Sequence, residues 1–192
     1  MIVTSCIESL IIADHFNPPD ISSLILNNSL ISLKRIDIGN DCFENVNQFV
    51  IDGLNELESL VIGNRSFELD ESNREGSKCL IMNCDQLSEI HIGYRSFYSY
   101  ESFELKNLRS LISIQLGQYA FYLCHRIVFE SKNDWMNDEW DLTQLQSIDV
   151  GLLALDGYRN TVESNELIMK SMSDDDDWLI RSPFSIFIQR RW

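Results

Sequence analysis

One spacing recurs along this chain and limits what it can fold into: Leu54, Leu57, Leu60, Ile62, Gly63 and Phe67, within LNELESLVIGNRSF. The frame returns upstream as Leu30, Leu33, Ile36, Ile38, Gly39 and Phe43. Downstream it returns as Cys84, Leu87, Ile90, Ile92, Gly93 and Phe97, then as Leu108, Leu111, Ile114, Leu116, Gly117 and Phe121. Leu142, Leu145, Ile148, Val150, Gly151 and Leu155 keep the spacing with leucine in place of the aromatic. Ile7, Leu10, Ile12 and Phe16 form an earlier copy with Ala13 at the glycine position and one residue deleted. The glycines at 39, 63, 93, 117 and 151 stand 24, 30, 24 and 34 residues apart, which is the range of solenoid repeats. One such unit cannot bury its own apolar side, so the copies must stack.

Read as a short strand, the segment puts Leu60 and Ile62 on one face and Val61 on the other, because side chains alternate. Parallel strands of successive copies then lie about 4.8 Å apart, and each apolar pair meets the next. Gly63 and its equivalents are expected where the chain turns sharply, at dihedrals that penalise a side chain. Phe43, Phe67, Phe97 and Phe121 are expected to fold back and fill the middle of the coil. A second apolar set alternates between these strands: Phe49 and Ile51, Cys79 and Ile81, Phe103 and Leu105, Ile127 and Phe129, Leu167 and Met169. Its period of two marks a second extended leg in each turn. A helix over Phe43–Leu57 is the rival, but FELKNL and CLIMNC alternate more cleanly than they spiral.

Leu57, Leu60, Ile62 and Phe67 resemble the L-x-x-L-x-L-x-x-N-x-L frame of leucine-rich repeats over almost the whole chain. The asparagine position of that frame holds Asp41, Arg65, Arg95, Tyr119 and Leu153, while a glycine follows the strand and a Phe comes four residues later. Both changes resemble the BspA-like variant of bacterial and protist repeat proteins, with its I-x-I-G-x-x-A-F segment. The resemblance implies a mainly β repeat solenoid, a leucine-rich-repeat right-handed superhelix. Its parallel sheet would form the inner face, with short extended or irregular legs on the outer face. Without the asparagine ladder, the backbone at the bend needs other partners. The whole of 1–192 is expected to be one domain of about six coils plus a degraded last one.

Unequal periods imply insertions that bulge from the coil, near 68–77, 132–140, 156–165 and 171–178. Asp14–Ser22 carries two of the three prolines and reads as a loop before the next copy starts near Leu24. Trp135, Trp140 and Trp178 lie in or beside insertions, either pinned to the coil or offered to a partner. Asp174–Asp177 lacks the spacing of a calcium loop and reads as a solvated acidic run. Ile180, Pro183, Ile186 and Ile188 keep the old spacing in a last, degraded copy, whose open edge invites a cap or another chain. A homo-oligomer through open solenoid ends follows as one expectation.

With 30 acidic against 15 basic residues, the chain has a net charge of -15. That argues against nucleic acid and anionic membranes and favours basic partners, if any; the other reading is that the acids only keep a long surface soluble. Five cysteines, at 6, 42, 79, 84 and 124, show no paired C-x-x-C, and Cys79 and Cys84 fall on core positions, so they read as small buried hydrophobes rather than zinc ligands. Such usage suits a reducing compartment. Met1–Ile12 lacks an early Lys or Arg and contains Glu8, so it is not read as a signal peptide, and no apolar run reaches membrane-spanning length. The location expected is cytoplasmic, with the cell surface left open if the chain is a piece of a longer array.

Function must be sought in the outward columns of the first strands. One column is Ile11, Asp37, Val61, His91, Gln115 and Asp149; the column two residues earlier is Ser9, Arg35, Ser59, Glu89, Ser113 and Ser147. After the glycine come Asn40, Asn64, Tyr94, Gln118 and Leu152. A partner laid along this face would meet Arg35 and Asp37 at one end, Glu89, His91 and Tyr94 in the middle, and Gln115, Gln118 and Asp149 beyond. The expected role is a non-catalytic scaffold that binds a protein or peptide on its sheet face, with no cofactor and no metal. A structural or assembly subunit is the alternative. An enzyme is disfavoured, since none of His15, His91 and His125 falls in a nucleophile or metal motif.

Overall fold

The computed structural model describes residues 7–130, 147–151, 154 and 161–164. Each turn carries two short strands. The first legs are β1 (Ser9–Ile12), β3 (Arg35–Ile38), β5 (Ser59–Ile62), β7 (Glu89–Ile92), β9 (Ser113–Leu116) and β11 (Ser147–Val150). The second legs are β2 (Ser23–Asn27), β4 (Gln48–Asp52), β6 (Lys78–Met82), β8 (Ser102–Lys106), β10 (Arg126–Glu130) and β12 (Thr161–Ser164). Odd-numbered strands form one six-stranded sheet in chain order and even-numbered strands form another. Every described pairing is parallel. The chain is thus a mainly β solenoid, and the helix among the described residues is one 3-10 turn at Glu71–Asn73.

The repeat frame sets the register. Leu60 is paired with Ile36 on one side and Ile90 on the other, and Ile62 with Ile38 and Ile92. In the second sheet Phe49, Cys79, Phe103 and Ile127 form one inward column. All of these side chains are buried, and the two sheets share a single core between them. Phe43, Phe67, Phe97 and Phe121 stack in the middle with centroids 5.1, 4.6 and 4.9 Å apart, close to the spacing of the strands that carry them. Tyr100 stands edge-on to Phe97 at 4.9 Å. Its buried hydroxyl donates to the Val46 carbonyl.

The second legs are not irregular: they pair as continuously as the first. Leu24 is in register with Phe49, so β2 is the second leg of the first turn and not the start of the next copy. On the side away from β8, β10 pairs with Thr161–Ser164, inside the stretch expected to be an insertion. Leu167 and Met169, the leg expected there, lie outside the described residues. So do Trp135, Trp140 and Trp178, the insertions at 132–140 and 171–178, and the degraded copy at 180–192. The insertion at 68–77 leaves the coil between Phe67 and β6 and contains the 3-10 turn.

The glycines serve a different purpose from the one expected. None of Gly39, Gly63, Gly93 and Gly117 adopts a positive φ; that conformation falls instead on Asp41, Arg65, Arg95 and Tyr119, two residues on, and on the four stacked phenylalanines. What excludes a side chain at Gly63 is the neighbouring rung: a Cβ there would lie 2.6 Å from the Gly39 carbonyl carbon and oxygen. Gly93 stands in the same relation to Gly63. The row is a line of backbone-to-backbone contact, each glycine seated on the one before.

Bend backbone groups find partners between turns. The Asp41, Arg65 and Arg95 N–H groups donate to the carbonyls of Asn64, Tyr94 and Gln118 at 2.8, 2.7 and 2.9 Å. An amide ladder does exist, shifted to the residue after the glycine: Asp14 Oδ1 accepts from Asn40 N, Asn40 Oδ1 from Asn64 N, and Asn64 Oδ1 from Tyr94 N, at 2.7, 2.8 and 2.9 Å. Behind it, buried Ser66 and Ser96 donate to the Gly39 and Gly63 carbonyls at 2.7 and 2.6 Å. Together these satisfy groups that burial would otherwise penalise.

Candidate interaction surface

The outward face of the first sheet carries the columns read from the sequence. Asp37 is in register with Val61, Val61 with His91, His91 with Gln115, and Gln115 with Asp149. Glu89 lies between Ser59 and Ser113 in the adjacent column. Arg35 and Asp37 occupy each other, with Arg35 Nη2 2.7 Å from Asp37 Oδ2. Two strand spacings, about 10 Å, separate them from His91. His91 Nδ1 and Gln115 Oε1 are 2.8 Å apart. Asp149 sits two strands beyond His91, too far to orient its ring, and Glu89, His91, Gln115 and Asp149 are all exposed. His91 therefore has an amide partner, and no acid–base pair is assembled on this face among the described residues.

The bend beside this face holds residues that the strand columns did not reveal. Early turns place charges there: Arg65 Nε lies 3.4 Å from Asp41 Oδ1 and 3.6 Å from Glu68 Oε2, and Arg95 is paired with Glu68. Later turns fill the corresponding positions with aromatics. Tyr98 replaces Glu68 after the phenylalanine, Tyr122 follows it, and Tyr119 takes the place of Arg95. Tyr98 and Tyr122 stack at 5.1 Å; Tyr119 stands edge-on to Tyr122 at 5.6 Å and to Tyr94 at 6.0 Å. The Arg95 guanidinium sits over the Tyr98 ring, 4.5 Å from its centroid.

Four tyrosines thus form one connected cluster, with Tyr94 exposed and Tyr98, Tyr119 and Tyr122 half-buried. Of the residues expected at the surface, Tyr94 is a member of the cluster and Gln118 directly precedes Tyr119 in the chain. Burial pushes the Tyr98 hydroxyl up from its ordinary range against the opposing pull of Arg95. Partial burial disfavours the Arg95 charge, but Glu68 outweighs it and holds the guanidinium ionised. The signal was present in YRSFYSY and YAFYL, whose tyrosines flank the phenylalanine of the frame. Only a column laid through the bend brings them together.

The other sheet presents a different surface. Its middle outward column runs Ile25, Val50, Leu80, Glu104 and Val128. Glu104 is 1% exposed, covered by Lys78 at 3.3 Å, Lys106 at 2.8 Å and Arg126. Burial pushes its carboxyl up, but the hydrogen bond from Lys106 and the charges of Lys78 and Lys106 outweigh this and hold it below the usual carboxylate range. Among the described residues no group of His, Cys, Asp and Glu is arranged to hold a metal ion, and no helix is long and apolar enough to cross a membrane.

Fold and surface together define a β-solenoid that displays an aromatic cluster beside a polar sheet face. Comparison with models of protein families, with curated proteins and with solved structures finds no match for the chain.

Proposed function

We propose that the chain is a non-catalytic scaffold of the leucine-rich-repeat kind, holding a protein or peptide partner against the first sheet and its tyrosine-lined bend. The observation that carries this reading is the connected cluster of Tyr94, Tyr98, Tyr119 and Tyr122 next to His91, Gln115 and Gln118. Tyrosines supply large contact area at small entropic cost and keep a polar tip for hydrogen bonding, which is why they concentrate binding energy at interfaces. Here they pack on one another, and Tyr98 also lies under the Arg95 guanidinium, so little order has to be imposed when a partner arrives. The net charge of -15 favours a partner with basic residues around the segment that meets the tyrosines.

The test is to pan a displayed random-peptide library against the whole chain and measure the enriched peptides by titration. Enrichment of Lys- or Arg-containing peptides is expected, with affinity falling at least tenfold in Tyr94→Ala/Tyr119→Ala, roughly the effect of losing one modest hot spot. Equal binding by a double variant with unchanged melting would remove the bend from the site. Turnover of a hydrolase substrate panel that disappears in His91→Ala would replace the scaffold reading by an enzymatic one.

A further inference from the structure

Resting on the reading of the bend as a partner site, we infer that the insertion at 68–77 is the second wall of that site, and that wall and tyrosines together take an arginine side chain of the partner. The insertion is fastened to the coil at several points. Leu69, near its start, is buried. Near its end Gln48 Nε2 donates to the Gly76 carbonyl at 2.7 Å, and the Gly76 N–H donates to Glu101 Oε2 at 2.8 Å. Arg74 reaches furthest: its Nη2 donates at 2.9 Å to the carbonyl of Leu123, 49 residues on. Leu123 directly follows Tyr122, and its own N–H donates to the Tyr98 carbonyl at 2.9 Å. The loop is therefore held by the backbone that carries two of the tyrosines, and it presents its remaining side chains to them from a fixed position.

Glu71 is what that wall supplies. It is exposed at the start of the 3-10 turn, and none of the ion pairs among the described residues includes it. Its charge is felt at the Tyr98 hydroxyl, together with that of Glu68. A carboxylate beside a tyrosine ring can be satisfied by one group on both counts, because a planar guanidinium stacks on the ring while its edge N–H groups reach the acid. An ammonium offers no such flat face.

The chain already uses this arrangement once. Arg95 is paired with Glu68 while its guanidinium lies 4.5 Å from the centroid of Tyr98. One turn earlier Arg65 lies between Asp41 and Glu68, at 3.4 and 3.6 Å. One turn later the same position holds Tyr119, so the arginine row stops while the rings continue from Tyr98 to Tyr122. Arg65, Arg74 and Arg95 each already face an acid. Another arginine for Glu71 and the tyrosines has to come from the partner, and a net charge of -15 draws it in.

The experiment is an NMR titration of the whole chain, isotope-labelled in its tyrosine rings, with N-acetyl-arginine methylamide and separately with N-acetyl-lysine methylamide. Tyr98→Phe and Tyr122→Phe assign the ring signals. The arginine compound should shift both rings saturably, and the lysine compound should bind about fivefold more weakly or worse. Glu71→Gln should weaken the arginine compound roughly three- to fivefold, the effect of one exposed ion pair. Glu56→Gln, the same change of charge on an exposed residue of the turn before β5, should leave it as in the native chain. Rings that do not shift, equal binding of the two compounds, or identical behaviour of the two variants would each overturn the inference. Panned peptides that bind at the tyrosines without a preference for arginine would also overturn it and leave the scaffold standing. The arginine compound bound at the bend with no peptide enriched would do the reverse.

Discussion

Phe67 and Phe97 lie almost parallel, 4° apart in plane and 4.6 Å apart in centroid, although 30 residues separate them in the chain. Each is held at a positive φ, 58° and 55°. A bulky residue in that conformation costs on the order of 1 kcal/mol, and the stack in the core is what makes it affordable. Replacing Phe67 by Ala should therefore remove the contacts with Phe43, Phe49 and Phe97 together. A loss of about 3–5 kcal/mol is expected, measured by urea denaturation, and a loss under about 1 kcal/mol would contradict the role assigned to the stack.

Gly93→Ala and Gly76→Ala separate two reasons for a glycine. The first adds a methyl 2.6 Å from the Gly63 backbone, whereas at Gly76 nothing stands within 4 Å and the obstacle is a φ of +71°. Gly76→Ala should cost roughly 1 kcal/mol from backbone strain. Gly93→Ala must spread two rungs and should cost several times more, about 3 kcal/mol or above. Equal melting temperatures for the two variants would show that the glycine row tolerates side chains.

Glu104 predicts a pH dependence of known sign. Its carboxyl is held below the ordinary range in the folded chain, so its contribution is complete above the unfolded value, about 4.3, and is lost as pH falls through the folded value. Glu104→Gln should destabilise the protein near pH 7 by on the order of 2 kcal/mol, a moderate figure because Lys78, Lys106 and Arg126 retain access to water. The gap between variant and native chain should narrow on acidification below that range. A gap that widened there would reverse the assignment.

Cysteine reactivity should report the packing of the coil. Cys42, Cys79, Cys84 and Cys124 are buried and free. Burial pushes the Cys84 thiol up to about 11 and that of Cys124 to about 12, and holds the Cys79 thiol well above its ordinary value. Iodoacetamide at pH 8 is expected to leave these four unmodified in the native chain and to alkylate all of them in denaturant, followed by mass spectrometry. Rapid native labelling at Cys79 would place it outside the core.

Much of the architecture is legible in the spacing of Leu57, Leu60, Ile62 and Phe67, because a stacked core repeats in space whatever repeats in sequence. The alternating set from Phe49 to Phe129 likewise marks the second legs. Leu24 and Leu26 escaped this reading because the prolines before them suggest a loop, and the pairing of β2 with β4 becomes visible only when turns are superposed. The columns Asp37, His91, Gln115 and Asp149 follow from alternation alone and stand in register as expected.

What the sequence determined by itself is periodic: where a strand falls, which side chain enters the core, and which row faces outward, since these depend only on position within one repeat. The tertiary structure decided what depends on the distance between repeats. It showed Gly63 to be a contact between rungs instead of a hinge, moved the amide ladder to Asn40 and Asn64, and gathered Tyr94, Tyr98, Tyr119 and Tyr122 on one bend. Those relations join residues 24 or more positions apart, or lie on a bend where no alternation points the side chains. The physical cause is the close approach of neighbouring turns, which a pattern within a single turn does not contain.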